Sequence, residues 1–479
     1  MADNKSNRQQ LACEYIRKHY VDFRRLRFDT IAQKVQLRDS DSIDDFNSNH
    51  TARYLDKWRY ITNADINTIV CDCSIETNTS ITAKEILTVL NAGSQYIPRV
   101  HPLREYVYSV SPYTPDQPDW IDLVASQVRV KASPESDDRP YGADRPKSLT
   151  GEADPTASVT SDLTVQRSNS ELQRGPRQTT SGVCGVSGER SKADRLWRIC
   201  FKKWFVAMVA SWLKDEVVNH TVLVLVGRQG IFKTTWLEYL IPPHLREYCC
   251  KLANANQLSK DDRLRIAEFG LINMDELDAM NARELNAMKS VITATDVNER
   301  AAYGYTKERR IRLASFCASS NKREFLTDIT GNRRWLPFEV ESIQNPFETI
   351  FPYDRMYAQA RYLIEHDFNY WFELEEIDVL EEHNESFRAQ ENEEQLLPIL
   401  FDTPAEGRGI FMTTAQISEH LVSYGNIKKP MSLSSLGTHL GKAGYMPVRR
   451  NINGSKLRGW IVYQRDTNEI EALRRILKD

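Results

Sequence analysis

The sequence has 479 residues, which is enough for about three domains whose cores need no disulfide bonds. Its formal net charge of −3 excludes a chain that is basic overall, so any contact with nucleic acid must come from local patches. The cysteines are scattered, and neither a signal-peptide pattern nor a run of about 18 apolar residues occurs, so we expect a cytoplasmic protein without a membrane span.

Composition divides the chain into four predicted regions. Residues 1–131 mix helical patterns, such as an apolar stripe after a cap at Thr82, with irregular stretches, and predict a small helical N-terminal module. Residues 132–192 are rich in Ser, Thr, Pro, Gly and charge, and predict a disordered linker. Residues 193–385 and 386–479 predict two compact domains.

A nucleotide-binding pattern follows the linker in the segment TVLVLVGRQGIFKTTWLEYL. Its apolar run Val222–Val226 predicts a strand that is buried on both faces, as in parallel sheets. Gly227 and Gly230 would let the next residues turn tightly and point successive N–H groups inward. An amphipathic helix follows, so the segment is predicted as strand, glycine loop and helix.

The start of this helix predicts how a nucleotide is held. Lys233 would reach the terminal phosphates, and Thr234 would ligate Mg²⁺. Phe232 departs from the pattern G-x-x-x-x-G-K-[ST], in which glycine precedes the lysine, so its side chain must point away from the nucleotide. By itself the segment fits two interpretations equally well, which are a nucleotide-binding loop and a buried strand followed by an ordinary glycine turn. The predicted contacts with ATP are Gly227, Gln229, Gly230, Ile231, Phe232, Lys233, Thr234 and Thr235.

A second strand, about forty residues further on, ends in carboxylates in the segment FGLINMDELDAM. Asp275 would hold Mg²⁺ through water, and Glu276 would polarise the water that attacks ATP. A surface acidic turn is the alternative, which the spacing from the lysine loop disfavours. The predicted metal contacts are therefore Thr234 and Asp275, and Glu276 is a predicted catalytic residue.

Two later strands add polar groups to this set. The segment IRLASFCASSN ends at Asn321, whose amide can orient the attacking water or contact the γ-phosphate. The segment DITGNRRWLPFEV sets Arg333 and Arg334 before an apolar strand, where they suit a transition-state phosphate contact supplied by a neighbouring subunit. For either arginine alone, the alternative is that it only forms a salt bridge at the start of the strand. Because the arginine would come from a neighbour, we expect a homo-oligomeric ring such as a hexamer.

Five blocks of the sequence together resemble a known family: VLVGRQGIFKTTWLEYLIPP, LSKDDRLRIAEFGLINMDELDAM, DVNERAAYGYTKERR, FCASSN and TGNRRWLPFEV. In this order they are similar to the virulence-associated E family of phage and mobile-element proteins, over roughly residues 196–380. The resemblance implies an α/β fold with a P-loop ATPase core of the AAA+ type on a parallel central sheet, related to superfamily-three helicases and primase-helicases. It implies ATP and Mg²⁺ as cofactors.

The resemblance also bears on partners. No primase-like acidic metal cluster precedes the ATPase blocks, so priming would require a separate primase. Related helicases insert a hairpin that grips single-stranded DNA in a central channel, and DVNERAAYGYTKERRIRL occupies that interval here. A solvated basic hairpin with tyrosines packed on the core is the alternative. The residues implied to contact DNA are Arg300, Tyr303, Lys307, Arg309 and Arg310.

The last hundred residues predict a winged-helix-like domain. A threonine-capped helix and a leucine-striped helix precede MPVRRNINGSKLRGWIVYQR, in which Asn-Gly between alternating strands favours a hairpin. A groove helix and a basic wing would contact DNA through Lys442, Arg449, Arg450 and Lys456. Winged helices also serve as protein-interaction modules, which is the alternative.

Three functions follow from this sequence. The leading hypothesis is an ATP-hydrolysing, helicase-like motor on DNA in the replication of a phage or mobile genetic element. The alternative is an ATP-controlled assembly switch in host-phage conflict without strand separation. A DNA-binding regulator with a degenerate ATPase is disfavoured because Lys233, Asp275, Glu276, Asn321 and Arg333 are all present.

Overall fold

The computed structural model describes residues 2–38, 58–92, 96–131, 191–252, 260–299, 307–326, 332–389, 392–403, 409–428, 430–452 and 454–476. The predicted linker lies outside these residues except for its last two positions. Arg300 and Tyr303 of the implied DNA-binding hairpin also lie outside them. In the part of the chain that is described, no helix is long and apolar enough to cross a membrane.

The N-terminal module is a mixed α/β unit, so the prediction of a helical module is wrong. Three helices enclose the apolar core of a four-stranded sheet of order β3-β2-β1-β4. These strands have only two to five residues each, too few for alternation to mark them in the sequence. The elements are α1 (Ala2–Ile16), β1 (Leu26–Asp29), β2 (Lys34–Arg38), β3 (Trp58–Tyr60), α2 (Asn63–Glu76), α3 (Ala83–Leu90) and β4 (Arg99–Val100).

Local sequence starts the helices of this module. Thr62 and Thr82 each accept a hydrogen bond from a backbone N–H three residues later, and the acidic residue there bonds back to the threonine N–H. These capping boxes satisfy N–H groups that the helix itself leaves unpaired. The cap predicted at Thr82 is therefore present.

The boundary of the N-terminal module differs from the predicted one at residue 131. Its core ends at Ile97, whereas helices α4 (Pro102–Ser109) and α5 (Trp120–Ala125) are buried in the central core. Strand β5 (Val128–Val130) pairs antiparallel with a strand of the central sheet. Residues just before the linker thus belong to the domain that follows it, and only a long-range pairing shows this.

The central domain contains the parallel sheet that was predicted. Its order is β5-β12-β6-β11-β8-β7, and every pair except β5 with β12 is parallel. The run at β6 is buried along its whole length because helices cover both faces of the sheet. The strands are β6 (Val222–Val226), β7 (Cys249–Leu252), β8 (Leu271–Met274), β11 (Ser315–Ser320) and β12 (Trp335–Ile343).

Helices form one layer on each face of this sheet. Leu223 and Leu225 of β6 face a core that includes five fully buried aromatic residues of α6, while the alternating valines face the other core. The tryptophans of α6 donate their indole N–H groups to backbone carbonyls, so their burial leaves no donor unpaired. One layer is α6 (Lys192–Leu213), α7 (Lys233–Glu238) and α10 (Tyr353–Glu365), and the other is α8 (Lys260–Glu268) and α9 (Ala282–Thr293).

Two smaller β units complete the described structure. Strands β9 (Asp296–Glu299) and β10 (Glu308–Ile311) pair antiparallel as the base of the hairpin that the resemblance implied. The C-terminal domain follows α11 (Leu374–Glu385), and within it two consecutive helices precede a long hairpin, as predicted, while a further helix lies at each end of the domain. Its elements are α12 (Asn392–Leu400), β13 (Phe401–Asp402), β14 (Ile410–Met412), α13 (Thr414–Gly425), α14 (Leu433–Lys442), β15 (Met446–Ile452), β16 (Ser455–Gln464) and α15 (Thr467–Ile476).

Candidate functional site

Three chain segments meet at the carboxyl ends of the parallel strands, where open α/β sheets bind their ligands. The glycine loop, residues 227–234, follows the central strand β6. The acidic turn, residues 275–278, follows β8, and Asn321 follows the intervening strand β11. The strand register aligns these ends, so polar groups far apart in sequence come together here.

The backbone of the glycine loop requires glycine at two positions. Gly230 has φ +85°, which an L side chain rarely adopts. At Gly227, a Cβ atom would lie 3.0 Å from the carbonyl oxygen of Val340. The loop therefore packs against β12 with no space for a side chain at its first residue.

Phe232 has the left-handed conformation, with φ +67°, directly before helix α7. This explains why glycine is the usual residue at this position, since the left-handed region costs an L residue about 1–2 kcal/mol. The Phe232 ring packs edge-to-face on Phe347, with 6.1 Å between ring centroids. Phe232 thus has a left-handed backbone conformation that non-glycine residues disfavour, and its ring packs on Phe347.

Lys233 is the centre of a hydrogen-bond network in the loop, and only 6% of its surface is exposed. Its Nζ donates to the carbonyl oxygens of Gly227 and Arg228, at 2.7 and 2.8 Å. A third bond of 3.1 Å reaches Oδ1 of Asn321. Burial lowers the pKa of the Lys233 amine, although two nearby carboxylates oppose that effect. The lysine and Asn321 thus form one unit within the chain.

Thr234 and Asp275 also meet as predicted from the sequence. Thr234 Oγ1 donates to Asp275 Oδ1 at 2.9 Å, and Ser319 Oγ donates to the same oxygen at 2.6 Å. Burial raises the pKa of Asp275, but these hydrogen bonds outweigh it and the net shift is downward, so the carboxylate is ionised at neutral pH. Hydroxyl and carboxylate oxygens are ligands that Mg²⁺ prefers, so this group fits the predicted cation.

Glu276 combines an exposed side chain with a strained backbone. It has φ +55°, in the left-handed region, and its N–H donates to Asp275 Oδ1 at 3.2 Å. Non-glycine residues in this region carry strain that often accompanies a functional role. The turn holds the Glu276 carboxylate in solvent beside the half-buried Thr234–Asp275 pair.

The remaining predicted loop contacts differ in exposure. Gln229 is exposed, whereas Ile231 and Thr235 are half-buried, and Ile231 borders the central core. Ile231 also lies 3.1 Å from the position that a Cβ on Gly227 would occupy. Ile231 therefore packs within the loop, while Gln229 faces solvent.

The arginine turn, Asn332–Arg334, lies at the opposite edge of the sheet. Trp335, the next residue, is in register with Val222, the first residue of β6, whereas the glycine loop follows Val226. Four strand steps separate the two edges, which is about 13 Å. The structure therefore does not bring Arg333 or Arg334 to the glycine loop of the same chain.

The described part of the hairpin β9–β10 is less basic than its sequence suggested. Arg309 pairs with Asp296 and Arg310 with Glu268, each at 2.8 Å, while Lys307 is exposed. Acidic partners offset the charge of the two arginines. Among the implied DNA contacts that are described, Lys307 and Arg309 are thus exposed, whereas Arg310 is half-buried.

The C-terminal hairpin concentrates positive charge. Arg449 is directly opposite Arg458, and Lys456 is opposite Asn451 on the same face of the ribbon. All three cationic side chains are exposed, as is Arg450, which lies 5.5 Å from the Phe411 ring. Like charges directly opposite in a β ladder destabilise it, so this arrangement favours an anionic partner.

Lys442 does not join this cluster. Its Nζ is 3.7 Å from Glu385, and it lines a surface cavity with Glu381, Glu382 and Asn332. Its surroundings are acidic rather than basic. Among the described groove and hairpin residues, Lys442 is therefore the least suited to a phosphate contact.

Sequence reasoning missed two polar groups of the site. Asp278 accepts hydrogen bonds from the Asn321 N–H at 3.0 Å and from Ser320, and so fixes the end of β11. Asn273, fully buried within β8, donates to the Thr234 carbonyl at 3.2 Å. The signal available for Asn273 was its position within the apolar run of a strand, because a buried amide needs a hydrogen-bond partner.

Comparisons with known proteins give one family. Residues 183–389 match the model of the virulence-associated protein E-like domain. No curated protein matches this sequence. Among solved structures, the A form apo structure of the NrS-1 C-terminal region shares 10% identity over 91% of this chain and 96% of that one, with a TM-score of 0.39. A second apo structure of this region has 11% identity over 91% and 95%, with a TM-score of 0.36.

The family match covers the whole candidate site. Its bounds take in the glycine loop, the acidic turn, Asn321 and the arginine turn, and they end within the segment that joins the central and C-terminal domains. Residues 183–389, which include the candidate site, therefore match the virulence-associated protein E-like domain.

Proposed function

We propose that the protein is an ATPase of the P-loop, AAA+ type that acts on DNA in the replication of a phage or mobile element. The observation that carries this proposal is the hydrogen-bonded group of Lys233, Asn321, Thr234 and Asp275 at the carboxyl edge of a parallel sheet. These residue types at this edge are suited to the phosphates and cation of a nucleoside triphosphate. The family match supports the assignment.

The residues of this edge divide the chemistry between them. Lys233 would bind the terminal phosphates, exchanging backbone carbonyl contacts for phosphate oxygens. Glu276 would accept a proton from the attacking water, and Asn321 would orient that water. Mg²⁺, held through Thr234 and Asp275, would neutralise charge on the phosphates.

A neighbouring subunit would complete the site. Because Arg333 and Arg334 lie at the opposite edge of the sheet, they are available to the glycine loop of a second copy rather than to their own. A guanidinium that contacts the γ-phosphate in the transition state is worth about 10³-fold or more in rate. A closed ring of identical subunits, such as a hexamer, would give every loop an arginine turn.

The DNA contact would use the C-terminal hairpin as the wing of a winged-helix-like domain. The cross-strand pair Arg449–Arg458 and neighbouring Lys456 support this, since phosphates would relieve their mutual repulsion. We expect Arg449→Ala with Arg458→Ala to weaken DNA binding and to reduce the slope of log affinity against log salt by about 2. An unchanged slope in fluorescence anisotropy would remove this assignment.

The ATPase assignment is tested by two substitutions with different expected outcomes. Lys233→Ala should lose ATP binding, while Glu276→Gln should bind ATP with normal affinity and hydrolyse it about 10²–10⁴-fold more slowly. Lys202→Ala, an ion-paired lysine on α6, serves as the control for loss of a positive charge. Equal ATP affinity in Lys233→Ala and the unaltered protein would remove the role of the glycine loop.

A strand-displacement assay separates the motor from the alternative, an ATP-controlled assembly switch. Forked, single-stranded and duplex substrates should be compared with the unaltered protein and with Glu276→Gln. A motor separates the forked substrate only when it hydrolyses ATP. A switch assembles with ATP in both proteins and leaves the strands paired.

A further inference from the structure

The arginine turn is held at both ends by one buried side chain. Asn384, near the end of α11, is fully buried. Its Nδ2 donates hydrogen bonds to the carbonyl oxygens of Asn332 and Trp335, at 2.8 and 2.9 Å. These carbonyls flank Arg333 and Arg334, so a single amide bridges the turn that carries both arginines.

Neighbouring residues fix the same helix end to two parts of the site. A ring nitrogen of His383 lies 2.7 Å from the carbonyl oxygen of Pro337, just inside β12. The Phe387 carbonyl accepts the N–H groups of Phe325 and Leu326, in the segment that follows Asn321. Residues 383–387 therefore contact both the arginine turn and the chain that leaves the phosphate-binding edge.

A charge cluster joins this helix end to the C-terminal domain. Arg388 pairs with Glu385 at 2.8 Å and with Glu394 at 2.6 Å, and Glu394 pairs with His439 of α14. The side chains of Arg388, Glu394 and His439 are at most 12% exposed. Burial raises the pKa of Glu394, but hydrogen bonds from His439 and Arg388 outweigh it, so this carboxylate remains charged.

Helix α14 in turn packs against the base of the C-terminal hairpin. Leu436 and Leu440 of this helix share a buried cluster with Trp460 of β16. A displacement of the hairpin would move α14, and the cluster around Glu394 would transmit that motion to the end of α11. Three residues separate Asn384 from Arg388, so the path to the arginine turn is short.

We propose that Asn384 is a positioning residue for the arginine turn, and that the C-terminal domain sets its position through Glu394. This inference rests on the proposed function, in which the arginines act on a neighbouring subunit. DNA bound to the hairpin would then alter hydrolysis at a site that it does not touch. The physical requirement is that Asn384 holds the turn without contacting nucleotide.

The first test is a mixing experiment. Asn384→Ala should keep the KM for ATP and lower kcat about tenfold or more, because its own glycine loop is intact and only the placement of the arginines is lost. Mixed with Lys233→Ala, which retains an intact turn, it should exceed the summed activity of the two separate proteins. The matched control is Leu380→Ala, which removes buried packing from the same helix and should lower the melting temperature but keep kcat.

A second pair of variants covers the case in which Asn384→Ala does not fold. Asn384→Ser retains a donor and should keep an intermediate kcat. Glu394→Gln, remote from the turn, should leave ATPase activity without DNA unchanged and reduce its stimulation by single-stranded DNA about threefold or more. Undiminished stimulation in Glu394→Gln overturns the link to the C-terminal domain.

The outcomes separate this inference from the function on which it rests. If Arg333→Ala with Arg334→Ala gains activity when mixed with Lys233→Ala but Asn384→Ala does not, the role of Asn384 is overturned alone. If neither mixture gains activity, the trans-acting arginines are overturned as well. Equal losses of kcat in Leu380→Ala and Asn384→Ala would show that Asn384 only stabilises the fold.

Discussion

The two edges of the central sheet differ in how complete they are within one chain. At the carboxyl edge, Lys233 bonds to Asn321, and Thr234 bonds to Asp275, so the polar groups satisfy one another. At the amino edge, Arg333 is exposed and Arg334 half-buried, and neither forms an ion pair within the described residues. The polar groups of one edge are paired with one another, whereas the other edge presents positive charge at its surface.

The largest expected effect tests whether the arginine turn of one subunit acts at the glycine loop of another. Arg333→Ala with Arg334→Ala should bind ATP normally and lose about 10³-fold in kcat, because the contact forms in the transition state. Turnover of the unaltered protein should rise steeply with its concentration as subunits assemble. The measurement is turnover as a function of the ratio in which this double variant is mixed with Lys233→Ala, at fixed total protein. A mixture that co-assembles in gel filtration without added activity would place the arginines in a structural role.

The second prediction concerns what holds the amino edge in place. Arg312 is almost fully buried, and it donates to the carbonyls of Asn219 and Ala314 and to those at the end of α9. Burial lowers its pKa to about 9. Arg312→Met should reduce the free energy of unfolding by about 2–4 kcal/mol, since several buried carbonyls lose their donor. Urea denaturation measures this loss.

The control for the Arg312 substitution is Arg309, which lies on β10, the strand just before Arg312. Arg309 is 77% exposed on its side chain and pairs with Asp296. Arg309→Met should change the free energy of unfolding by less than about 1 kcal/mol, because exposed ion pairs contribute little. Similar losses in the two variants would contradict the structural role of Arg312.

The third prediction addresses the carboxyl edge alone. Asp278→Asn should lower kcat about tenfold, because Asp278 accepts a direct hydrogen bond from the Asn321 N–H and so orients the backbone that carries this amide. Since Asp278 and Lys233 belong to the same edge of the same chain, a mixture of Asp278→Asn with Lys233→Ala should show no gain over the separate proteins. A gain like that of the arginine variant would mean that the two edges are not distinct.

The smallest effect tests whether the backbone of the glycine loop is set within the chain. Because Phe232 has φ +67°, Phe232→Gly should be more stable than Phe232→Ala by about 1 kcal/mol, although both lose the contact with Phe347. Thermal unfolding of the two variants measures the difference. If Phe232→Ala were as stable as Phe232→Gly, residue 232 would not have the left-handed conformation in solution.

The sequence by itself was sufficient for the parts that local physics controls. Tight turns require Gly227 and Gly230, apolar runs mark the buried strands, and threonine caps mark helix starts at Thr82 and Thr413. Short motif spacings placed Lys233, Asp275 and Asn321 at strand ends, and parallel strands bring such ends to one edge. These inferences need only neighbouring residues and the direction of each strand.

The tertiary structure alone decided which groups face each other. Strand order and register put the arginine turn at the edge opposite the glycine loop, and they placed Asp278 against Asn321. They also paired Arg309 and Arg310 with carboxylates and grouped residues 102–130 with the central domain. Charge in a sequence shows what a side chain can bind, but its partner depends on contacts between distant segments, and the folded chain sets these through the packing of the sheet and its helices.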